Sequence, residues 1–79
     1  MIVKVYGADW CTKTGFLKNY LQSEWIDFNF YNVELDEEAA NYIRSLFNGK
    51  LKFPVVTVND QVLLNPKISE LRESLKTSS

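Results

Sequence analysis

Apolar residues recur along this chain in two alternating periods, and the changes of period mark out its elements. Ile2-Val3-Lys4-Val5-Tyr6 is β-branched and apolar at nearly every position and stops at Gly7-Ala8-Asp9, the pattern of an interior strand with little of either face polar. From Thr12 to Gln22 the positions Phe16, Leu17, Tyr20 and Leu21 fall at one-turn intervals, which predicts a helix with one buried stripe. Gly15 within it costs roughly 1 kcal/mol relative to alanine, so it either relieves crowding near the helix start or weakens the helix. Between Trp25 and Val33 alternation returns, with Ile26, Phe28 and Phe30 on one parity and Tyr31 and Val33 on the other, and predicts a second strand.

A second helix is expected to open at Asp36, a good N-cap followed by Glu37 and Glu38 at the positive end of the dipole. Ala39, Ala40, Ile43, Leu46 and Phe47 form its face, Arg44 lies in its last turn, and Gly49 supplies a left-handed C-cap. Val55 to Val58 and Gln61 to Leu64 are short strand-like runs joined by Asn59-Asp60, a two-residue turn that makes them an antiparallel hairpin. Asn65-Pro66 reads as a cap with proline at the first helical position, and Ile68, Leu71 and Leu75 carry a final helix. Lys76-Thr77-Ser78-Ser79 reads as a tail, frayed over residues 77–79. The order is β-α-β-α-β-β-α in a single domain, residues 1–79. Crossover handedness makes the first two strands parallel, and the hairpin completes a four-stranded mixed sheet flanked by helices, an α/β fold.

Composition narrows the function. A chain of 79 residues is one domain, and its five Phe, four Tyr and two Trp supply apolar area that so short a chain otherwise lacks. At strand and helix spacing these rings read as core rather than as a base-stacking platform. One cysteine and no histidine exclude an intramolecular disulfide and the usual zinc ligand sets. Nine basic and ten acidic residues are spread along the chain, which argues against nucleic acid as a partner. No run reaches the roughly 20 apolar residues of a membrane span, and no basic leader precedes a long apolar one, so a cytoplasmic chain without membrane contact is expected.

The candidate chemistry lies at Cys11, between the first strand and the first helix. A sulfur there stands near unpaired helix-start N–H groups, which stabilise the thiolate that attacks disulfides. Lys13 either adds a positive charge or points into water. A lone cysteine is also a common small buried hydrophobe, and position alone leaves the two readings equal. Thr14, one turn on, either donates its hydroxyl to the Cys11 thiolate or caps the helix. Pro54, before Val55, by itself only starts an edge strand.

Three segments carry a resemblance. Tyr6-Gly7-Ala8-Asp9-Trp10-Cys11 followed by Thr12-Lys13-Thr14 resembles the strand, loop and redox motif that open small glutaredoxins. Asn48-Gly49-Lys50-Leu51-Lys52-Phe53-Pro54-Val55-Val56 resembles their asparagine-glycine segment leading to Thr-Val-Pro. Val62-Leu63-Leu64-Asn65-Pro66 with Glu70-Leu71 is similar to the end of the mycoredoxins, a glutaredoxin-like group. The resemblance covers nearly the whole chain and implies the thioredoxin-like fold.

It further implies that Cys11 is the nucleophile, that Pro54 is cis with the Phe53 backbone facing an extended thiol peptide, and that Trp10 flanks the site. Thr14 stands where dithiol members have a resolving cysteine, so this chain would work through one thiol. The Gly-Gly-x-Asp segment by which many members grip glutathione is replaced by Leu64-Asn65-Pro66-Lys67. The helix start near Pro66, with Lys67 or Lys52, would then offer N–H groups and charge to a carboxylate. Thr12-Lys13 replaces the Gly-Phe of cluster-binding monothiol members, which argues against an iron–sulfur cluster. The expectation is a monomeric monothiol oxidoreductase acting on protein mixed disulfides. No cofactor is tightly bound, and a low-molecular-weight thiol such as glutathione is the co-substrate. The alternative is a non-catalytic module that binds a partner protein through the same groove.

Overall fold

A computed structural model of the chain describes residues 1–78. Its strands are β1 (Val3–Gly7), β2 (Asn29–Asn32), β3 (Val55–Val58) and β4 (Gln61–Leu64), and its helices α1 (Thr12–Ser23), α2 (Glu37–Leu46) and α3 (Ile68–Ser78). The sheet order is β2-β1-β3-β4, with β1 and β2 parallel and the other pairs antiparallel. This is the β-α-β-α-β-β-α order that the period changes predict, in the thioredoxin-like arrangement that the resemblance implies.

Two apolar clusters cover the two faces of the sheet, as strand alternation requires. On one, Val3, Val5, Val56 and Val58 meet Leu17 and Leu21 of α1 and Leu71 and Leu75 of α3. On the other, Tyr6 and Val55 meet Ala39, Ala40 and Ile43 of α2, with Val33 beside them. Burial pushes the Tyr6 phenol up, with Tyr42, Tyr31 and Asp36 adding to the shift, so it stays neutral within this cluster.

Several boundaries differ from the sequence expectation. Only Asn29–Asn32 of the Trp25–Val33 run is strand. Trp25 instead closes α1: its N–H donates to the Gln22 carbonyl, and the Ile26 N–H reaches back to Leu21. That pair of bonds is a Schellman cap, with Trp25 in the left-handed position at φ 57°. Its side chain is 93% exposed. Trp25→Gly should therefore stabilise the fold by about 0.5–1 kcal/mol, because glycine meets no Cβ clash in that conformation and little burial is lost. Urea unfolding of the two proteins checks this.

Phe16 is exposed and does not belong to the α1 stripe, which consists of Thr14, Leu17 and Leu21. Gly15 relieves no crowding, since a Cβ there would meet open space. Asp36 caps α2 as expected, accepting the Ala39 N–H at 3.1 Å. The left-handed residue directly after the α2 C-cap is Asn48, at φ 54°, with Gly49 following at φ 84° and donating to the Arg44 carbonyl. Pro66 is not the first residue of α3. Asn65 turns at φ 46°, Lys67 accepts the first helical bond from Leu71, and the helix begins at Ile68.

At its other end α3 takes in Lys76, Thr77 and Ser78, and the Thr77 hydroxyl donates to the Ser74 carbonyl at 3.0 Å. Ser79 lies outside the described residues. No helix among the described residues is long and apolar enough to cross a membrane.

Candidate active site

β1 ends at Gly7, where the parallel ladder closes with the Val33 N–H on the Gly7 carbonyl at 2.9 Å. The chain then turns, the Cys11 N–H donating to the Ala8 carbonyl at 3.1 Å, and Cys11 becomes the N-cap of α1. Two side-chain bonds between residues distant in the chain hold this turn to the end of β2 and the segment after it. Asn32 Nδ2 donates to Asp9 Oδ2 at 3.1 Å, and Trp10 Nε1 donates to Glu34 Oε1 at 2.7 Å.

Cys11 is partly exposed. In an N-cap residue the side chain faces the free N–H groups of the second and third helical positions, here Lys13 and Thr14. Desolvation raises the Cys11 pKa, but the Thr14 hydroxyl and the N–H groups of Thr14 and Lys13 outweigh it and hold the thiol below its ordinary value. As the neutral thiol Cys11 makes no capping hydrogen bond, and the buried Thr14 Oγ1 has no partner. These observations agree once charge is considered. A thiol is a poor acceptor, whereas a thiolate turns the same three donors into charge-assisted ones.

Gly7 is what lets Thr14 reach this position. A Cβ on Gly7 would overlap Thr14 Oγ1 and lie 2.6 Å from its Cγ2. The strand glycine is thus a matter of space, not of backbone conformation.

The opposite wall is the segment before β3. The Phe53-Pro54 peptide is cis, and the Phe53 ring meets Trp10 edge-on, with centroids 5.7 Å apart. Among the described residues neither the N–H nor the C=O of Phe53 makes a hydrogen bond, whereas the Pro54 carbonyl accepts the Asn65 N–H at 2.7 Å. That bond joins the start of α3 to the same wall. Contacts thus link Trp10, next to Cys11, with Phe53, and Pro54 with Asn65 before α3.

Not every expected residue faces the site in the expected way. The Lys52 ammonium sits 5.5 Å from the centre of the Phe47 ring. Thr12 is exposed on the first turn of α1 and Lys13 is half-buried. At the start of α3 Pro66 has no N–H and the Lys67 N–H donates to Glu70 Oε1 at 2.8 Å, while among the described residues the N–H groups of Ile68, Ser69 and Glu70 take no partner. Gly7, Glu34 and Glu70 are site residues that sequence reasoning missed. Glu70 gave no local signal, since it stands five residues after the expected cap Asn65 and three after Lys67, which is not a capping residue type. A surface cleft of about 340 Å³ between Tyr20, Ile26, Arg72 and Leu75 lies toward the far end of α1 and has no part in this site.

Among the described residues no cluster of His, Cys, Asp and Glu could hold a metal ion.

Comparison with known proteins supports the same reading. The structure superposes on the thioredoxin-like protein BC3987 with a TM-score of 0.82 at 19% identity, over 91% of this chain and 97% of that one, a likeness of fold. It matches the glutaredoxin of Methanosarcina mazei Go1 at 32% identity and a TM-score of 0.77, over 94% of this chain and 77% of that one. It also matches the glutaredoxin-like NrdH-redoxin of Escherichia coli, described as having a thioredoxin-like activity profile, at 25% identity and a TM-score of 0.74, over 91% and 93%. Sequence comparison with functionally curated proteins gives no significant match. The glutaredoxin family profile matches residues 3–63, spanning β1 through most of β4 with Cys11 and Pro54 inside it, and the chain belongs to the glutaredoxin family.

Proposed function

We propose that this protein is a monothiol thiol-disulfide oxidoreductase that reduces protein mixed disulfides through Cys11, with a low-molecular-weight thiol such as glutathione as co-substrate. The observation that carries the reading is the partly exposed Cys11 sulfur beside three donors that favour its anion. Support also comes from the unpaired N–H and C=O of Phe53, which suit an extended thiol peptide pairing along the groove.

In the first step the Cys11 thiolate attacks the small-thiol sulfur of the mixed disulfide. A new S–S bond joins Cys11 to the small thiol, the old one breaks, and the protein sulfur leaves as a thiolate that takes a proton from water. The Thr14 hydroxyl and the two N–H groups hold the attacking sulfur as its anion and favour its departure later. With one cysteine in the chain, release requires a second small thiolate, which attacks the bound small-thiol sulfur and frees Cys11. The net change reduces the protein disulfide by two electrons and joins two small thiols as their disulfide. No tightly bound cofactor enters the scheme. The protein acts as a monomer, and as a single reduced thiol it suits a cytoplasmic setting. The likeness of residues 62–71 to mycoredoxins leaves the natural small thiol open to choice by experiment.

The test is turnover. A peptide carrying a mixed disulfide, incubated with catalytic protein and excess small thiol, should be reduced with many cycles per Cys11, and intact mass should show Cys11 carrying one small thiol between cycles. A stable native protein that gives no adduct would contradict the proposal and leave the groove a binding surface.

A further inference from the structure

We infer that Glu34 is a positioning residue for the reaction: it holds the Trp10 ring as a fixed wall for the substrate segment that pairs with the Phe53 backbone, and so favours peptidic disulfides over compact ones. The inference rests on the monothiol reading above and deepens it. Trp10 belongs to both walls of the site, being joined to Cys11 by the chain and meeting the Phe53 ring edge-on, with centroids 5.7 Å apart. Its side chain is nonetheless 68% exposed, so packing alone does not hold it. An exposed ring left free would have to be ordered by each substrate that used it, at a cost to affinity. The Glu34 carboxylate removes that cost by accepting the indole Nε1–H at 2.7 Å, a charge-assisted bond.

The backbone that carries this acceptor is itself fixed. Asn32 closes β2 opposite Gly7, and its Oδ1 accepts the Glu34 N–H at 2.9 Å. The Asn32 carbonyl accepts the N–H groups of Leu35 and Asp36 at 3.1 and 2.8 Å, and its Nδ2 donates to Asp9 Oδ2 at 3.1 Å. The turn that carries Glu34 is thus tied to the end of the sheet on one side and to the loop before Cys11 on the other. Asp9 and Trp10 are adjacent, so the loop cannot swing away from β2 without breaking both side-chain bonds. With its N–H taken by Glu34, Trp10 offers a substrate apolar ring surface.

The experiment compares the wild type, Glu34→Ala and Glu34→Gln with a glutathione-linked peptide disulfide and with hydroxyethyl disulfide, which has no peptide groups. Glutamine keeps an acceptor for the indole N–H and alanine does not. Glu34 is exposed in a turn, and circular dichroism checks that the fold is kept. Glu34→Ala should raise KM for the peptide disulfide about fivefold, the scale of ordering one large side chain on binding. The kcat, the hydroxyethyl disulfide rate and the pH midpoint of Cys11 alkylation should not change, and Glu34→Gln should stay close to the wild type. In a Trp25→Gly background Trp10 is the only tryptophan. Time-resolved fluorescence anisotropy should then show fast local motion of the ring in Glu34→Ala, and overall tumbling alone in the other two. An unchanged peptide KM in Glu34→Ala, an equal loss on both disulfides, an equal loss in Glu34→Gln, or a Trp10 ring as immobile in Glu34→Ala as in the wild type would overturn the inference and leave the oxidoreductase reading standing. Failure of Cys11 to react with either disulfide would overturn that reading and this inference with it.

Discussion

Thr14→Val is expected to raise the pH midpoint of Cys11 reactivity and slow its reaction with disulfides at neutral pH about tenfold, the scale of one hydrogen bond to a charged group. Stability should be unchanged or improved. The two halves of that expectation have one cause. Thr14 is buried to 1% exposure, and its hydroxyl has no partner while Cys11 is protonated. A buried hydroxyl without a partner is a cost to the fold, and valine removes it while keeping the side-chain shape. The same hydroxyl is the foremost of the donors that lower the Cys11 pKa. Part of the loss in thiolate will be offset, because a more basic thiolate is the better nucleophile.

The sign for stability follows from linkage. A thiol whose folded pKa is depressed contributes stability that is present above the unfolded value of about 8.5 and lost as pH falls through the folded pKa. Between those limits the wild type should gain on Cys11→Ser as pH rises, and Thr14→Val should narrow that window. Urea unfolding at several pH values and an iodoacetamide rate profile measure both halves.

Gly7→Ala is expected to destabilise the protein by about 1–3 kcal/mol, the range for inserting a methyl group into a filled core. It should also slow Cys11, because the new Cβ would occupy the space of Thr14 Oγ1 and Cγ2. Thr14 must then turn or shift away, and the donor set around the sulfur is lost with it. The coupling is testable by a double substitution. Gly7→Ala with Thr14→Ala should recover most of the stability, since the clash is gone, yet not the reactivity. Additive losses would show that Gly7 is needed for some reason other than Thr14.

These two positions also mark how far the sequence could be read. Asp36, Glu37 and Glu38 at the start of α2 and the Asn59-Asp60 turn act through neighbours in the chain, and local patterns predict them correctly. The placement of Cys11 at the start of α1, with Thr14 one turn on, was legible for the same reason, while position alone left the roles of both side chains open. Trp25 was misread because an aromatic residue directly before Ile26, on the same parity as Tyr31 and Val33, reads as the start of a strand alternation, while its backbone serves the left-handed cap of α1. Phe16 and Leu17 are adjacent, and the spacing of the stripe does not by itself tell which of the two faces the sheet. Burial settles it for Leu17, with Phe16 left 61% exposed. The contacts of Gly7 with Thr14 and of Trp10 with Glu34 join residues 7 and 24 positions apart, and only the parallel β1–β2 crossover brings them together.

The most direct test of the account is the pH dependence of Cys11 alkylation by iodoacetamide in the native protein, followed by intact mass. A single modification with a midpoint below the free-cysteine value of about 8.5 is the predicted result, and it would establish an accessible thiolate held by Thr14 and Lys13. A midpoint at or above that value, or no modification until the protein unfolds, would contradict the account and remove the basis for one-thiol catalysis.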